Sequence, residues 1–428
     1  MRKKELSRVI IFVLIIALVS ALTAFVIACG GNGDTDKNGN GDTTAKTIKV
    51  GSLFPVSGDL AKLGQECVNA TKLAFEEINA AGGIKSMGGA KLQLVEADSQ
   101  GKPDVGIQEV ERLAQEGVVC ILGTYQSSVA IPATQAAERL QVPIFIVQAI
   151  ADEITEKGYK YTFRLAPKAS WYAKSQVEFA KAMPDLNAEY GEVKTAALLH
   201  EDTDFGQSTA AGDKKYMKEL GIELVSEVAY PAAAADLTTQ VSKVKASNPD
   251  IIFMTTYLND AILINQAREK MKIPQLFVDS AGGTIDPEFI KRLGESAEGI
   301  CTVVEFSKYG GAAAEDINKR YEAKFNSEMS GNSCYAYQGA WVLAKVLENA
   351  GSDDREKIRE AFGAVKLDAA AGDNVVVPTS TIEFGPDGQV KNMPLYVCQI
   401  QGGELVPLFP TDFAMEGKSL LLYPFTGE

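Results

Sequence analysis

The chain has 428 residues, with 42 Lys and Arg against 56 Asp and Glu and a formal net charge of −14. That length exceeds one ordinary core and predicts two domains. The acidic balance, with no basic stripe to neutralise phosphates, excludes nucleic acid as a partner, and 46% hydrophobic residues is the share of a globular protein.

Arg2, Lys3, Lys4 and Arg8 open the chain, and residues 9–28 carry no charge. A basic start before an apolar stretch has the form of a secretory signal. The stretch is long for one, so an uncleaved membrane helix is the alternative. The run Val26-Ile27-Ala28-Cys29 resembles the bacterial lipobox, in which cleavage precedes a cysteine that then carries lipid. Either way the rest of the chain lies outside the cytoplasm, because the positive end stays inside. After Cys29 the sequence is rich in Gly, Asn, Asp and Thr and has almost nothing apolar to bury, which predicts a flexible tether over 29–47 behind a signal segment over 1–28.

From residue 48 the pattern changes. IKVGSLFPV (48–56) reads as a strand, residues 63–83 as a helix stopped by Gly82-Gly83, KLQLVEAD (91–98) as a strand and residues 103–117 as a helix. VVCILGTY (118–125) is a continuous apolar run of the kind buried on both faces of a parallel sheet. A helix from Ser127 and a strand over 142–150 follow. The alternation resumes with strands over 194–202, 222–230, 250–257, 274–280 and 298–306 and helices between them. Residues 312–350 hold two helices, REKIREAFGAV a further one, and 380–410 reads as strands joined by Pro-Asp-Gly and Gly-Gly turns. Steady alternation predicts an α/β fold of two doubly wound, Rossmann-like lobes. Cys67, Cys120, Cys301, Cys334 and Cys398 show no CxxC spacing, and three of them sit in apolar runs, so neither a metal motif nor a disulfide framework is expected.

Open α/β sheets bind ligands beyond the carboxyl ends of their strands. At such ends lie Tyr125-Gln126-Ser127-Ser128, where hydroxyls and free N–H groups at a helix start suit a carboxylate, and where either serine would also serve as an ordinary N-cap. Gln148 to Asp152 lies on the same edge, where its exposed backbone groups suit a polar head, with Asp152 alternatively a cap for the helix that begins DEITEKG. The second unit offers Phe205, Tyr257, and Asp279 with Ser280, an aromatic wall plus an acid that would suit an apolar side chain and an ammonium. Trp171 and Tyr172 follow the crossing between units and either line the cleft or pack the hinge.

KVGSLFPVSGDLAKLGQECVNATKLAFEEINAAGGI, GTYQSS, ADEITEKGYKYTFRLAP and DFGQS occur in order, and together they resemble the branched-chain amino-acid-type periplasmic binding proteins, the solute receptors of ABC importers. The resemblance implies a type I Venus-flytrap fold with three interlobe crossings, here 48–166 plus 301–394 as the first lobe and 167–300 plus 395–428 as the second. It implies that Ser127 meets a ligand carboxylate, that the Ala149 carbonyl meets an ammonium, and that Phe205 and Tyr257 are aromatics of the second lobe. There are departures: Ala151 stands where a threonine is expected, Ser280 beside Asp279 where a glutamate is expected, and Leu63 where an aromatic is expected. The ligand is therefore open between an amino acid, an amide and a small carboxylate. The implied partners are that solute, a membrane permease and the membrane through lipid at Cys29, with no cofactor and no metal. A sensory receptor of the same fold, signalling through a membrane partner, is the alternative. An enzyme is not expected: the single His200 lies in LLHED, there is no G-x-S-x-G elbow, and Gly417-Lys418-Ser419 lacks the first glycine of a phosphate loop.

Overall fold

The computed structural model describes residues 46–424; the expected signal segment and Cys29, the residue expected to carry lipid, lie outside them. In chain order the first elements are β1 (Thr47–Phe54), α1 (Ala61–Ala80), β2 (Lys91–Asp98), α2 (Pro103–Gln115), β3 (Ile121–Gly123), α3 (Ser127–Leu140), β4 (Ile144–Ile146) and β5 (Thr162–Arg164). These strands form a parallel sheet of order β2-β1-β3-β4-β5. Its strands bury both faces, with side chains alternating between two cores. Ile48, Val50, Phe54 and Phe145 face one core, and Leu53, Ile144 and Ile146 face the other. α1 stops at two glycines with positive φ, and Gly83 is required there: a Cβ would lie 2.4 Å from the Ala90 carbonyl oxygen.

The second group is α4 (Ala169–Leu186), β6 (Thr195–Glu201), α5 (Asp204–Leu220), β7 (Glu223–Tyr230), α6 (Thr238–Ala246), β8 (Ile251–Thr255), α7 (Leu258–Met271), β9 (Leu276–Ser280), α8 (Pro287–Leu293) and β10 (Cys301–Val304). The chain then returns to the first core with α9 (Ala312–Phe325), α10 (Gly331–Ala350) and α11 (Arg355–Ala364), and adds the small antiparallel pair β11 (Lys366–Asp368) and β12 (Thr381–Glu383). It closes on the second sheet with the hairpin β13 (Tyr396–Gln401) and β14 (Glu404–Phe409). That sheet has seven strands in the order β14-β13-β10-β9-β8-β6-β7. The chain thus passes between the sheets three times, after β5, after β10 and before β13.

Two expected boundaries move. The strand Cys301–Val304 pairs in parallel with β9 and antiparallel with β13, so it belongs to the second sheet, and the second crossing follows Val304 instead of preceding Cys301. Thr47, expected as the end of the tether, is already the first residue of β1. All five described cysteines are buried and free, each a small apolar filler. Among the described residues no helix is long and apolar enough to cross a membrane.

Candidate functional site

The strand ends expected to face each other do so across one small cavity. Tyr125, Ser127, Gln148 and Ile150 line it from the first lobe, and Phe205, Tyr257, Ala281, Gly282 and Ile285 from the second. Tyr172, Glu305 and Asn332 complete the wall. It leaves about 30 Å³ of room for water-sized groups. Tyr257 is its pivot: its ring centroid lies 6.1 Å from that of Tyr125 across the cleft and 5.1 Å from that of Phe205 within its own lobe. Both contacts are tilted and within the range of favourable aromatic pairs. Burial pushes the Tyr125 and Tyr257 hydroxyls well above their ordinary range, so both are neutral donors. A cavity of about 220 Å³, lined by Pro55, Lys62, Gln126 and Asp260 among others, adjoins the other side of Tyr257. A further one of about 320 Å³ lies beside Ile285.

Ser127 is the first residue of α3, not its cap; Gln126 holds that place and makes no side-chain cap bond. The Ser127 hydroxyl accepts from the Ala151 N–H at 3.1 Å and keeps its own proton to donate. Ala151 is held from its other side too, its carbonyl accepting from Arg164 Nη1 at 2.6 Å. Arg164 is fully buried and also donates to Gln389 Oε1 at 2.6 Å, to Thr155 Oγ1 at 3.0 Å and to the Ala149 carbonyl at 3.5 Å. Burial pulls its guanidinium down to about 10, so it remains cationic at neutral pH. The YTFRLAP crossing therefore places a fixed positive charge behind the 149–151 loop, and Gln389, on the way into the third crossing, accepts from that charge and donates to the Ala166 carbonyl of the first at 2.8 Å.

Several expected site residues lie elsewhere. Ser128 is absent from the cavity wall because it is one residue further around α3. Asp279 is buried beneath the loop after β9, where it accepts from Thr256 Oγ1 at 2.7 Å, Thr284 Oγ1 at 2.9 Å and the Ser280 N–H at 3.0 Å. Burial lifts its carboxyl to about 6 against those bonds. Its oxygens fasten the β8 and β9 loops together and do not line the cavity, and neither does the buried Ser280 beside it. Trp171 packs against the cores of both lobes and so fills the hinge, whereas Tyr172, one residue on, lines the cleft. Asp152 caps a different helix from the one expected: its Oδ1 accepts from the Ser170 N–H of α4 at 3.0 Å, and its N–H donates to Ser208 of α5 at 3.0 Å. His200 is buried on β6, its Nδ1 2.8 Å from the Glu201 carbonyl, away from this cavity.

Glu305 and Asn332 are the polar wall residues that the strand-end reading did not name, while Gln148 on the sheet edge and Tyr172 at the crossing were among its candidates. Among the described residues no cluster of three His, Cys, Asp or Glu side chains is arranged to hold a metal.

Two α/β lobes, one on a parallel sheet and one on a mainly parallel sheet with an antiparallel edge, three crossings and a cavity walled by both lobes define a two-lobed binding protein. The chain matches the periplasmic binding protein family model over residues 47–404 and belongs to that family. It is similar to a Leu/Ile/Val-binding protein homolog 7 of Brucella suis biovar 1, 31% identical over 85% of this chain and 91% of that one. It is also similar to the branched-chain amino acid transporter substrate binding protein LivJ of Streptococcus pneumoniae, solved with isoleucine, with 26% identity, a TM-score of 0.72 and 84% and 98% of the two chains covered. The fold of the leucine binding protein LivK of Thermotoga maritima superposes with a TM-score of 0.74 at 21% identity, over 85% of this chain and 99% of that one. The family is one of solute-binding proteins of the branched-chain amino-acid type, and the chain is not an enzyme.

Proposed function

We propose that the protein is an extracytoplasmic receptor that closes on a small amino-acid-like solute and delivers it to the permease of an ABC importer, held at the membrane by lipid on Cys29. The observation that carries this reading is the cavity shared by Tyr125 and Ser127 of one lobe with Phe205 and Tyr257 of the other. A solute there touches both lobes at once, so it binds the closed form better than the open one and shifts the balance by that difference. The Ser127 hydroxyl, with Arg164 behind the 149–151 loop, suits a carboxylate end, and the aromatic rings suit an apolar body. The names of the Brucella and pneumococcal relatives point the same way. The departures at Leu63, Ala151 and Ser280 leave the choice of solute to this chain's own residues.

The test is thermal unfolding and calorimetry against a panel of amino acids, amides and small carboxylates. A true ligand raises the melting temperature with the logarithm of its concentration over Kd. Ser127→Ala is expected to weaken a carboxylate ligand about 10-fold, the worth of one hydrogen bond to a charged group. A panel without any stabiliser would overturn the receptor reading. For the anchor, Cys29→Ala is expected to abolish incorporation of labelled fatty acid; label retained in that variant would refute lipidation there.

A further inference from the structure

Glu305 is 6% exposed and follows β10 at the second crossing. One of its oxygens, Oε2, is 3.2 Å from the Tyr172 hydroxyl, which donates to it. The other, Oε1, lies over Gly331 at the start of α10, where a Cβ would come within 2.1 Å of it; only glycine leaves that room. No Lys, Arg or His among the described residues is paired with this carboxyl. Besides Tyr172, only its own backbone N–H bonds this carboxyl. It lines the cavity together with Gln148 and Asn332, which carry unsatisfied groups: Gln148 Oε1, an acceptor, and Asn332 Nδ2, a donor on a residue 6% exposed. A buried carboxylate without a cation is costly unless something else supplies the charge. Asp279, the other acid near the cleft, cannot be that receiver, because Thr256, Thr284 and the Ser280 N–H already occupy its oxygens.

We propose that Glu305 is the anchor for a positively charged centre on the solute, so that the cleft selects amine-bearing solutes, amino acids or amino amides, over plain carboxylic acids and neutral amides. This rests on the receptor reading above and adds the class of solute. Tyr172 holds the anchor in place, Gln148 Oε1 takes a second ammonium hydrogen, and the faces of Tyr257 and Phe205 favour a cation beside them. Asn332 Nδ2 and the Ser127 hydroxyl serve the opposite, acceptor end of the solute. Burial lifts the Glu305 carboxyl to about 7. The groups that face it are neutral, namely Tyr172 of α4, Tyr335 and Cys334 of α10, and Tyr125. An arriving ammonium therefore meets a group that gives up its proton as the ion pair forms.

The experiment uses the full chain and matched probes: the common L-amino acids, their des-amino acids (4-methylpentanoate for leucine, 3-phenylpropanoate for phenylalanine), benzoate and propionamide. At pH 8 at least one amine-bearing probe is expected to bind about 30-fold or more tightly than its des-amino partner, the scale of losing one member of a buried charge pair. Glu305→Gln is expected to erase most of that gap while leaving the weak des-amino binding in place. A des-amino acid or benzoate that binds as well as its amine, or a Glu305→Gln variant that keeps the gap, overturns the proposal and leaves the receptor reading standing. If no probe binds the wild type, the receptor reading fails and takes this one with it. Should Glu305→Gln not fold, Tyr172→Phe removes the hydroxyl that favours the charged carboxylate; it is expected to weaken amine probes several-fold at pH 7 and less at pH 9, and an unchanged pH profile overturns the assignment.

Discussion

Asp213 on α5 is 2% exposed, and its Oδ1 accepts from Gln176 Nε2 of α4 at 2.5 Å. Burial outweighs that bond and the distant help of Lys214, and lifts the carboxyl to about 7 from an ordinary value of 3.8. Between those two values the folded protein holds a proton that the unfolded chain has released. Stability therefore falls as pH rises through this window, and is constant outside it. Asp213→Asn keeps the shape and removes the titration. Urea unfolding should find the variant about 1–3 kcal/mol more stable than wild type at pH 8, with the difference shrinking toward pH 4. Only the difference between the proteins is diagnostic, because Glu66, Asp260, Asp279 and Glu305 are raised in the same direction. A pH-independent difference would mean that Asp213 is ionised in the fold. A sequence shows that Asp213 lies on a helix, but not that the α4–α5 contact seals it. Glu305 is closer to legible: an acid at the carboxyl end of a buried parallel strand is the pattern that points to Asp279, and assigning residue 301 to the first lobe is what turns it away from the cleft.

At the scale of elements, the first turn of α1 reaches across to the start of α8. Lys62 Nζ lies 3.2 Å from Asp286 Oδ1, 3.6 Å from Glu66 and 3.7 Å from Glu288. Asp286 also caps α8, accepting from the Glu288 N–H at 2.7 Å. One ammonium thus serves three carboxylates, two of them on the opposite lobe. Burial lifts Glu66 to about 7, Asp286 adds to the rise and Lys62 opposes it. The Lys62 side chain is 48% exposed, so water and salt screen the pair, and its worth is about 0.5–1 kcal/mol. In the closing receptor proposed above, the cross-lobe part of this contact is made only when the lobes are shut, so Lys62→Ala should raise the solute's off-rate about 2–5-fold with little change in on-rate. Stopped-flow release of bound solute measures this, and 0.5 M salt should shrink the difference between variant and wild type. Equal off-rates at low salt would remove the latch. Helices such as α1 and α2 were readable to within a few residues because their apolar faces and glycine stops are local. The run 118–125 yields only three residues of β3, yet its pairing extends further, with Val119 donating to the Lys49 carbonyl at 2.9 Å. What was not readable is which sheet β10 joins, since its partners lie on β9 and, nearly a hundred residues away, on β13.

The described residues build two large sheets joined by three passages of chain, and buried polar ties hold those joints. Arg164 and Gln389 bind the first and third crossings together, Trp171 fills the space between the two cores, and Asp152 reaches α4 and α5. A doubly wound fold could be read from alternation, because each lobe repeats the same local grammar, and the three crossings followed from the family resemblance; the partition of wall residues could not be read, because it depends on how far each crossing carries the chain. With Tyr257 of one lobe against Tyr125 of the other, the cleft keeps only about 30 Å³, room for water-sized groups and not for an amino acid. Solute must then enter an open form, and closure must follow. Two readouts separate this from a rigid pocket. Small-angle scattering of the empty protein should give a larger radius of gyration than the loaded one. The observed binding rate should also level off at high solute concentration, at the rate of closure, where a rigid pocket would give a straight line. Lys62→Ala should leave that plateau nearly unchanged and raise only the intercept, since the latch forms after the lobes have met. A linear rate with no change in scattering would mean that solute enters without lobe motion, and the crossings would then be struts instead of hinges.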